Sequence, residues 1–485
     1  MENHDFLNWF QFAAKEIPAY QDYLIEHSVD AAKITNLTEF QRVPWLDKKT
    51  YILKYPLNML FPSGQFPALG HASSGSSGVP TLWFRGEKQS KIGEKMHTEI
   101  FSKIFNIKRE ESTLVLICFA MGMWVAGNYT LMACHDISRK GYQLTTFSVG
   151  MDLEAISSIL QSSAPFFKNV ILIGYPFYLD LVFADLVKKN IPIPEKLFLI
   201  TSGDKFSENW RENMLQKMYL PMSEAKRIVS IYGSSDAGIL GFETPLSISI
   251  RQKALDNPTL YKALFADAAP TVLPTLVQYN PQYIFFEEIN GELVLTTDLD
   301  CPLIRYNIHD RGQVISFSKM KEILSASASN ELINYMVTSE WDFPFLVVGS
   351  KTDVSVVFEA VKIYPEQIKA ALNDAKISHF LSGSFISYTK KNSNNETRLH
   401  FELELAPHVV EITEETASLI SDCIVQQLIA VNTEYRNSYT LLPQLTVPVL
   451  SYVTYGSDRF KSGSLRGDGN LTLVNMVGKK SKVLT

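Results

Sequence analysis

A short stretch rich in serine and glycine, Ser73-Ser-Gly-Ser-Ser-Gly-Val-Pro-Thr81, is the first candidate for chemistry in this chain. Glycine allows a ligand to approach main-chain amides closely, and serine hydroxyls add donors, so a loop of this composition can hold phosphate groups. It is not a Walker A loop, because no Lys-Ser/Thr pair follows its second glycine. The alternative is a flexible connection between two elements. The candidate phosphate-binding residues are Ser73, Ser74, Gly75, Ser76, Ser77, Gly78 and Thr81.

Three polar turns further along the chain each follow an apolar run that predicts a buried strand. The predicted strands are 169–173, 196–201 and 227–232, and helical patterns separate them. Strands that alternate with helices form a parallel sheet covered on both faces, and ligands bind beyond the carboxyl ends of its strands. The turns at those ends are Gly174-Tyr175-Pro176, Ser202-Gly203-Asp204 and Gly233-Ser234-Ser235-Asp236. We therefore predict that the three turns line one cleft.

The pattern changes near residue 283, where hairpin signals replace the alternation of strands and helices. Asn290-Gly291 is typical of a β-hairpin turn. We predict an α/β fold whose large N-terminal domain, 1–349, has mostly parallel sheets flanked by helices, together with β-hairpins. Residues 350–485 are predicted to form a small C-terminal α+β domain, which includes a helix over 414–431.

Length and composition exclude several classes of protein. The 485 residues suffice for two or three domains, and 46% of them are hydrophobic, as expected for a protein with a sizeable core. A formal net charge of −6 argues against general binding to nucleic acid or to anionic membranes. No apolar run reaches the ~20 residues of a membrane span, and the acidic start is unlike a secretory signal. Because the four cysteines form no metal or disulfide pattern, we predict a cytoplasmic protein.

Motifs in order along the first 310 residues resemble the adenylate-forming ligases and match the phenylacetate–CoA ligase branch best. Near the N-terminus, Ile17-Pro-Ala-Tyr20 and the lysine-containing segment Asp47–Tyr51 resemble that branch. Ser73–Thr81 is similar to the family's phosphate loop, S-S-G-T-T-G-x-P-T. The other matching segments are Ile200–Glu208, similar to G-G-E-x-x-S-E; Tyr232–Asp236, similar to Y-G-x-(S/T)-E; and Leu295–Asp310, similar to the segment that ends P-L-I-R-Y-R-T-G-D.

The resemblance implies an ATP-dependent, AMP-forming ligase. Such an enzyme activates a carboxylic acid, aryl or arylacetic in this branch, as an acyl-adenylate and transfers the acyl group to coenzyme A. By resemblance, Ser73–Thr81 holds the β- and γ-phosphates, Tyr232 lies near adenine, and Asp310 accepts the ribose hydroxyls. Asp236 would hold Mg²⁺, and Arg305 would serve the phosphate or brace the loop. Positive charge and aimed N–H groups are needed because two anions react with each other.

The chain also departs from the family at several positions. Lys351 stands where the family's hinge has arginine, and it keeps the charge but loses the planar fork. The lid of most members ends in a Gly-Lys pair, whereas here Gly463 is followed by Ser464, and Lys461 is a nearby cation that could substitute. Asp236 replaces glutamate, so its shorter side chain can require a water between the carboxylate and the metal. We expect Lys351 and Lys461, with Arg305, to be the catalytic cations.

These departures keep two alternatives open. The first is an adenylating enzyme with another acceptor, namely a carrier protein, an amine or a protein cysteine; the second is a nucleotide-binding relative without full turnover. Three segments at strand ends are candidates for the acid pocket, with core packing as the alternative: Phe119–Gly127, Gly174–Tyr178 and Ser202–Asp204. Phe317–Met336 reads as a helix in place of the family's cysteine-containing segment, and it is expected at the mouth of the cleft or in a homodimer contact.

Overall fold

The computed structural model describes residues 5–62, 65–73, 81–266, 274–339, 341–351, 356–358, 361–363, 365–372, 374–392, 396–457 and 474–476. These residues form two compact units. The large unit contains the described residues up to 73 and those from 82 to 351, and the small unit contains those from 356 onward. Within the described ranges, no helix is both long and apolar enough to cross a membrane.

Twelve helices of the large unit lie within the described residues. They are α1 (Asp5–Glu16), α2 (Pro18–Glu26), α3 (Leu37–Phe40), α4 (Glu87–Glu99), α5 (Val125–Arg139), α6 (Leu153–Ser162), α7 (Pro176–Lys188), α8 (Glu208–Lys217), α9 (Pro245–Asp256), α10 (Pro258–Phe265), α11 (Phe317–Ala326) and α12 (Asn330–Thr338). Proline at the first position favours a helix start, because its missing N–H has no partner there in any case. This explains why α2 begins at Pro18, α7 at Pro176 and α9 at Pro245.

The described strands of the large unit form one two-stranded sheet and one sheet of eleven strands. They are β1 (Leu69–Ser73), β2 (Thr81–Arg85), β3 (Thr113–Cys118), β4 (Leu144–Phe147), β5 (Asn169–Gly174), β6 (Leu197–Thr201), β7 (Ile228–Ser234), β8 (Gly238–Phe242), β9 (Thr275–Gln278), β10 (Phe285–Ile289), β11 (Glu292–Thr297), β12 (Leu303–Ile315) and β13 (Phe345–Lys351). The order in the large sheet is β10-β11-β12-β13-β9-β8-β7-β6-β5-β3-β4.

The large sheet is parallel in one half and antiparallel in the other. Strands β4, β3, β5, β6 and β7 pair with one another in parallel, and for β3, β5, β6 and β7 the strand–helix alternation predicted this. The chain then turns at Gly238, whose φ of +81° favours glycine, and β8 returns antiparallel to β7. The predicted hairpin at Asn290-Gly291 joins β10 to β11. The sheet is therefore less parallel than expected, because β8 to β13 all pair antiparallel.

The parallel strands are apolar on both faces because each face carries its own core. Along β5, Ile171 and Ile173 belong to the core that includes the N-terminal helices, whereas Val170 and Leu172 belong to the core under α6 and α7. Side chains of a strand alternate between faces, so a strand covered on both sides has no position that faces solvent. This explains why β3, β5 and β6 are fully buried.

The small unit is α+β, as predicted, with its own core around Ile424 and Phe401. Its described strands are β14 (Val356–Phe358), β15 (Val361–Ile363), β16 (Leu381–Lys391), β17 (Thr397–Leu405), β18 (Val449–Val453) and β19 (Val474–Met476). Its described helices are α13 (Pro365–Leu372), α14 (Glu414–Val431), α15 (Thr433–Leu441) and α16 (Pro443–Thr446). Strands β18, β17, β16 and β19 form one sheet in that order, and α14 has the predicted bounds.

Several elements differ from the sequence predictions. The helix expected over 317–336 is two helices, α11 and α12, because the chain breaks at Ala328, where φ is +55°. Helix α5, strand β4 and strand β8 were not predicted. Short or glycine-containing segments of this kind give weak periodicity.

Candidate active site

The predicted turns lie side by side at the carboxyl edge of the parallel strands. Gly174 of β5 pairs with Thr201 of β6, and the N–H of Ser202 donates to the carbonyl of Gly174 at 3.4 Å. At Gly203 the backbone has φ of +86°, and a Cβ there would lie 2.8 Å from the ring of Tyr175. Only glycine suits this position, because the turn is both left-handed and in contact with an aromatic ring.

Tyr232 and Asp310 meet at this edge. Tyr232 lies near the end of β7, and its hydroxyl donates to Asp310 Oδ2 at 2.7 Å, although β12 is not a neighbour of β7 in the sheet. Both side chains are almost fully buried. Burial first, and then the negative charge of Asp310, raise the pKa of Tyr232 well above its usual value. The phenol therefore stays protonated and orients the carboxylate.

Asp236 forms a second cluster with two residues from distant parts of the chain. The hydroxyl of Tyr306 on β12 donates to Asp236 Oδ2 at 2.7 Å, and Lys48 Nζ lies 3.2 Å from Oδ1. Lys48 begins a π-helical turn, Lys48–Ile52, which Asp47 caps by accepting from the N–H of Thr50. The turn thus brings a cation to a carboxylate that the sequence had assigned to metal binding.

Lys205 places another cation close to Asp310. Its Nζ donates to the carbonyl of Gly349 on β13, and the neighbouring main chain at Lys351 pairs with Asp310. Burial lowers the pKa of Lys205, while the charges of Asp310 and Asp204 oppose that shift. Lys205 therefore joins the turn after β6 to the last residues of β13.

The side chain of Arg85 holds the segment between β7 and β8 in place. This buried guanidinium donates to the carbonyl of Ser235, and its Cζ lies 5.5 Å from the centroid of the Tyr129 ring. Burial lowers its pKa to about 10. Within the described residues, Nε and Nη1 have no hydrogen-bond partner. On the same segment, the N–H of Ala237 donates to Ser234 Oγ at 3.0 Å, which fixes the turn that carries Asp236.

The hydrogen bonds of Arg305 hold separate segments of the large unit together. Its Nε and Nη2 donate to the two carboxylate oxygens of Glu287 at 2.9 and 3.0 Å, and its Nη1 donates to the carbonyls of Gln41 and Val43. The whole guanidinium is therefore engaged with protein. Of the two roles expected for Arg305, this arrangement favours the brace, although it supports the segment after α3 rather than the serine–glycine loop.

The remaining predicted residues are only partly described. Ser73 ends β1 and Lys351 ends β13, and both are described for their main chain. Thr81 begins β2 and is buried, and Gly233 belongs to β7. The N–H of Lys205 donates to Asp204 Oδ1 at 2.7 Å. The residues outside the described ranges are Ser74, Gly75, Ser76, Ser77, Gly78 and Lys461.

The described residues contain no group of three or more His, Cys, Asp or Glu side chains that could hold a metal ion. Asp236 is a single carboxylate, and Lys48 and Tyr306 already contact its two oxygens. Mg²⁺ usually takes one or two carboxylates and completes its shell with water and substrate phosphates. Asp236 fits such an ion only as its one protein ligand, and Lys48 would compete for the same oxygen.

Sequence reasoning did not assign Lys48, Tyr306, Lys205 or Arg85 to the site. Lys48 and Tyr306 lie inside segments that resemble the family, so their membership of those motifs was an available signal. Lys205 also lies inside such a segment, Ile200–Glu208. Arg85 gave no comparable signal, because its role depends on Ser235, which is remote in sequence.

A likeness to solved structures became evident once the fold was known. No protein-family model matches the chain, and no curated protein matches its sequence. A solved structure of 2-hydroxyisobutyryl-CoA ligase in complex with 2-HIB-AMP and CoA, in the thioesterification state, superposes with a TM-score of 0.63 at 13% identity. The match covers 96% of this chain and 88% of the ligase.

An open conformation of the same ligase with the same ligands gives a TM-score of 0.51 at 14% identity over 95% of this chain and 90% of the ligase. The amide bond synthetase McbA from Marinactinospora thermotolerans gives 0.48 at 10% identity, over 88% of this chain and 69% of that one. The predicted fold class is confirmed, since the chain shares the fold of the solved 2-hydroxyisobutyryl-CoA ligase.

Proposed function

We propose that this protein is an AMP-forming ligase that activates a carboxylic acid with ATP and transfers the acyl group to coenzyme A. The observation that carries the proposal is the pair of clusters Tyr232–Asp310 and Tyr306–Asp236–Lys48. They unite two motifs, separated in sequence, that resemble the nucleotide-binding segments of adenylate-forming ligases. Nearly buried carboxylates with fixed donors are suited to polar recognition of one ligand.

In this proposal, Asp310 accepts the ribose hydroxyls and Tyr232 keeps its carboxylate in place for them. The serine–glycine loop, 73–81, holds the β- and γ-phosphates with main-chain amides. Lys48 supplies positive charge near the reacting phosphate, where it reduces the repulsion between the phosphate and the attacking carboxylate. Mg²⁺, if bound at Asp236, would neutralise phosphate charge. Lys205 and Arg85 act through the segments that they hold.

The acid pocket is proposed to lie beside Phe119 and Tyr175. Phe119 is buried directly after β3, and its ring meets that of Tyr175 edge-on with centroids 4.9 Å apart. Two aromatic rings at the strand ends make an apolar wall, which suits an aryl or arylacetic acid of the phenylacetate–CoA ligase type. A cytoplasmic location fits the use of ATP and coenzyme A.

One observation keeps a second candidate function open. Ser464 follows Gly463 where most members of the resembled family have the lid lysine. An adenylating enzyme with a carrier protein, an amine or a protein cysteine as acceptor, or a nucleotide-binding relative without full turnover, remains the alternative.

The test is ATP-dependent pyrophosphate release, measured with a panel of aryl, arylacetic and short aliphatic acids, with and without coenzyme A. We expect release that requires one class of acid, and formation of a thioester when coenzyme A is added. Asp310→Asn should weaken ATP binding about tenfold or more, because an amide accepts hydrogen bonds with one oxygen only. The control Glu288→Gln, at an exposed position on β10, should match the wild type.

Adenylate formation without thioester would assign the enzyme to the alternative with another acceptor. No pyrophosphate release with any acid, in a folded protein, would contradict the proposed activity.

A further inference from the structure

Strand β12 carries a histidine in an unusual backbone conformation directly before Asp310. At His309 the backbone has φ of +58°, a left-handed angle that residues with a Cβ rarely adopt. The resembled segment, which ends Y-R-T-G-D, has glycine at this position. Residues in such conformations cluster at functional sites, where the surrounding structure maintains them. Histidine thus accepts a conformational cost here that glycine would avoid.

The imidazole of His309 lies between two carboxylates from different parts of the large unit. Its Nε2 lies 3.5 Å from Asp47 Oδ2, and its Nδ1 lies 3.6 Å from Glu292 Oε2. Only the imidazolium form has an N–H on both ring nitrogens, so a protonated ring suits both contacts. The ring therefore joins Asp47, which caps the π-helical turn, to the start of β11.

Hydrogen bonds fix both carboxylates and the backbone of His309. Asp47 Oδ1 accepts from the N–H of Thr50 at 2.7 Å, so the other oxygen, Oδ2, is the one near His309. Burial raises the pKa of Asp47, but the hydrogen bonds from Thr50 and the charge of His309 outweigh burial and lower it. Asn307 Nδ2 donates to Glu292 Oε2 at 2.6 Å, and Asn307 Oδ1 accepts from the N–H of His309 at 2.7 Å. The imidazole is therefore surrounded by groups that are themselves anchored.

Main-chain hydrogen bonds attach the segment before the π-helical turn to the same strand. The N–H of Leu46 donates to the carbonyl of Arg305 at 2.9 Å, and the N–H of Asn307 donates to the carbonyl of Leu46 at 2.7 Å. Two residues after Leu46, Lys48 Nζ reaches Asp236. Strand β12 thus determines where the lysine lies.

We propose that His309 is a positioning residue that sets the place of Lys48 relative to Asp310. Its contact with Asp47 links the residue before Lys48 to the residue before Asp310. In the proposed function, on which this inference rests, Asp310 binds the ribose and Lys48 reduces charge repulsion at the reacting phosphate. A displacement of about 1 Å in a reacting group can slow a reaction strongly. The contact therefore governs the rate of adenylate formation rather than the affinity for ATP.

The first experiment compares acid-dependent pyrophosphate release by the wild type, His309→Asn and His309→Gly. Asparagine and glycine both tolerate a left-handed backbone, so neither change should disturb the main chain. We expect kcat to fall about tenfold in both variants, while the KM for ATP stays the same. The matched control His135→Asn, at an exposed histidine next to Asp136, should keep the wild-type kcat. Wild-type kcat in both His309 variants, or a higher KM with unchanged kcat, would overturn the proposal.

Combination with Lys48→Met shows whether His309 acts through that lysine. In the double variant, His309→Asn should slow the reaction no further than Lys48→Met alone, because the position of the cation no longer matters. Effects that multiply in the double variant would overturn the proposal.

Chemical denaturation measures the contact between His309 and Asp47 without any substrate. Asp47→Asn keeps a side-chain oxygen for the cap and removes the charge. The double variant His309→Asn/Asp47→Asn should shift the denaturation midpoint by less than the sum of the single shifts, because both changes remove one interaction. Additive shifts would overturn the proposal.

The failure of this inference is distinguishable from the failure of the proposed function. Absence of pyrophosphate release from the wild type would contradict the proposed activity and this inference together. Release with the same kcat by the wild type and by His309→Asn would contradict this inference alone.

Discussion

At the scale of single residues, the site depends on carboxylates that are held by fixed donors. Asp310 accepts from Tyr232, and Asp236 accepts from Tyr306 and contacts Lys48. The position of Lys48 changes the expected catalytic chemistry more than that of any other residue in the site. The resemblance placed the reacting cation on the lid, whereas the structure has a lysine of the large unit at the predicted metal carboxylate.

We therefore predict that Lys48→Met slows adenylate formation about a hundredfold, because about 3 kcal/mol of charge stabilisation in the transition state is lost. The measurement is pyrophosphate release at saturating ATP and acid. Lys54→Met is the matched control, since Lys54 also ends in an ion pair, with Glu26, but at the surface. Equal rates in the two variants would remove Lys48 from the reaction.

At the scale of elements, a buried ionic network joins α8, α9 and the end of β8. Arg211 donates to Glu208 and to Glu243, and Arg251 donates to Glu208 at 2.7 Å. Burial raises the pKa of Glu208, but Arg211 and Arg251 outweigh it and hold the carboxyl ionised. Glu208 ends the segment that resembles G-G-E-x-x-S-E, so this part of the motif has a structural role beside the turn at Asp204.

Glu243→Gln should destabilise the large unit by about 3 kcal/mol, because it leaves two buried arginines with one carboxylate. Chemical denaturation followed by tryptophan fluorescence measures the change. In Glu224→Gln, which breaks the more exposed pair with Arg227, the loss should stay below about 1 kcal/mol. A similar loss of stability in both variants would contradict the structural role assigned to the buried ionic network.

Helix α4 contains a buried histidine that makes the large unit sensitive to acid. His97 Nδ1 donates to the carbonyl of Gly93 at 2.8 Å, and its Nε2 has no partner among the described residues. Burial lowers the pKa of His97 to about 4. Because the unfolded chain takes up the proton near pH 6.5, stability is present above that pH and is lost as the pH falls toward about 4.

Between pH 7 and pH 5 the free energy of unfolding should fall by about 1–2 kcal/mol because of His97 alone. Denaturation at the two pH values measures it, and His97→Gln should reduce the difference by that amount. His135→Gln, at an exposed position, should leave the pH dependence unchanged. If His97→Gln also leaves the pH dependence of stability unchanged, the acid sensitivity arises from another group.

At the scale of the whole molecule, the two units have separate hydrophobic cores. Leu172 is fully buried in the large unit, and Ile424 is fully buried in the core of the small unit. A compact unit with its own core can unfold as a unit. We therefore expect the chain to unfold in two thermal transitions.

Calorimetry of Leu172→Ala and Ile424→Ala tests this expectation. Each substitution removes buried methyl groups at a cost of about 2–5 kcal/mol and should lower the midpoint of one transition by about 5 °C or more, leaving the other in place. A single transition that shifts in both variants would mean that the two units unfold together.

Sequence patterns were sufficient to predict the parallel strands, the turns that follow them and the hairpin at Asn290-Gly291. These features are local: a strand covered on both faces is apolar along most of its length, and a tight turn requires residues that tolerate positive φ. The resemblance added Tyr232, Asp236 and Asp310, and the structure brings Tyr232 and Asp310 within one hydrogen bond.

The partners of those residues were decided only by the tertiary structure. The contacts of Lys48 with Asp236, of Lys205 with Gly349 and of Arg305 with Glu287 all join segments that are remote in sequence and meet only when the chain has folded. The hydrophobic periodicity of a sequence indicates whether a side chain is buried. It does not indicate which residue will contact that side chain in the folded protein. For a cationic side chain, the group that lies opposite decides its role. The cation can take part in the reaction, brace the fold or position another side chain.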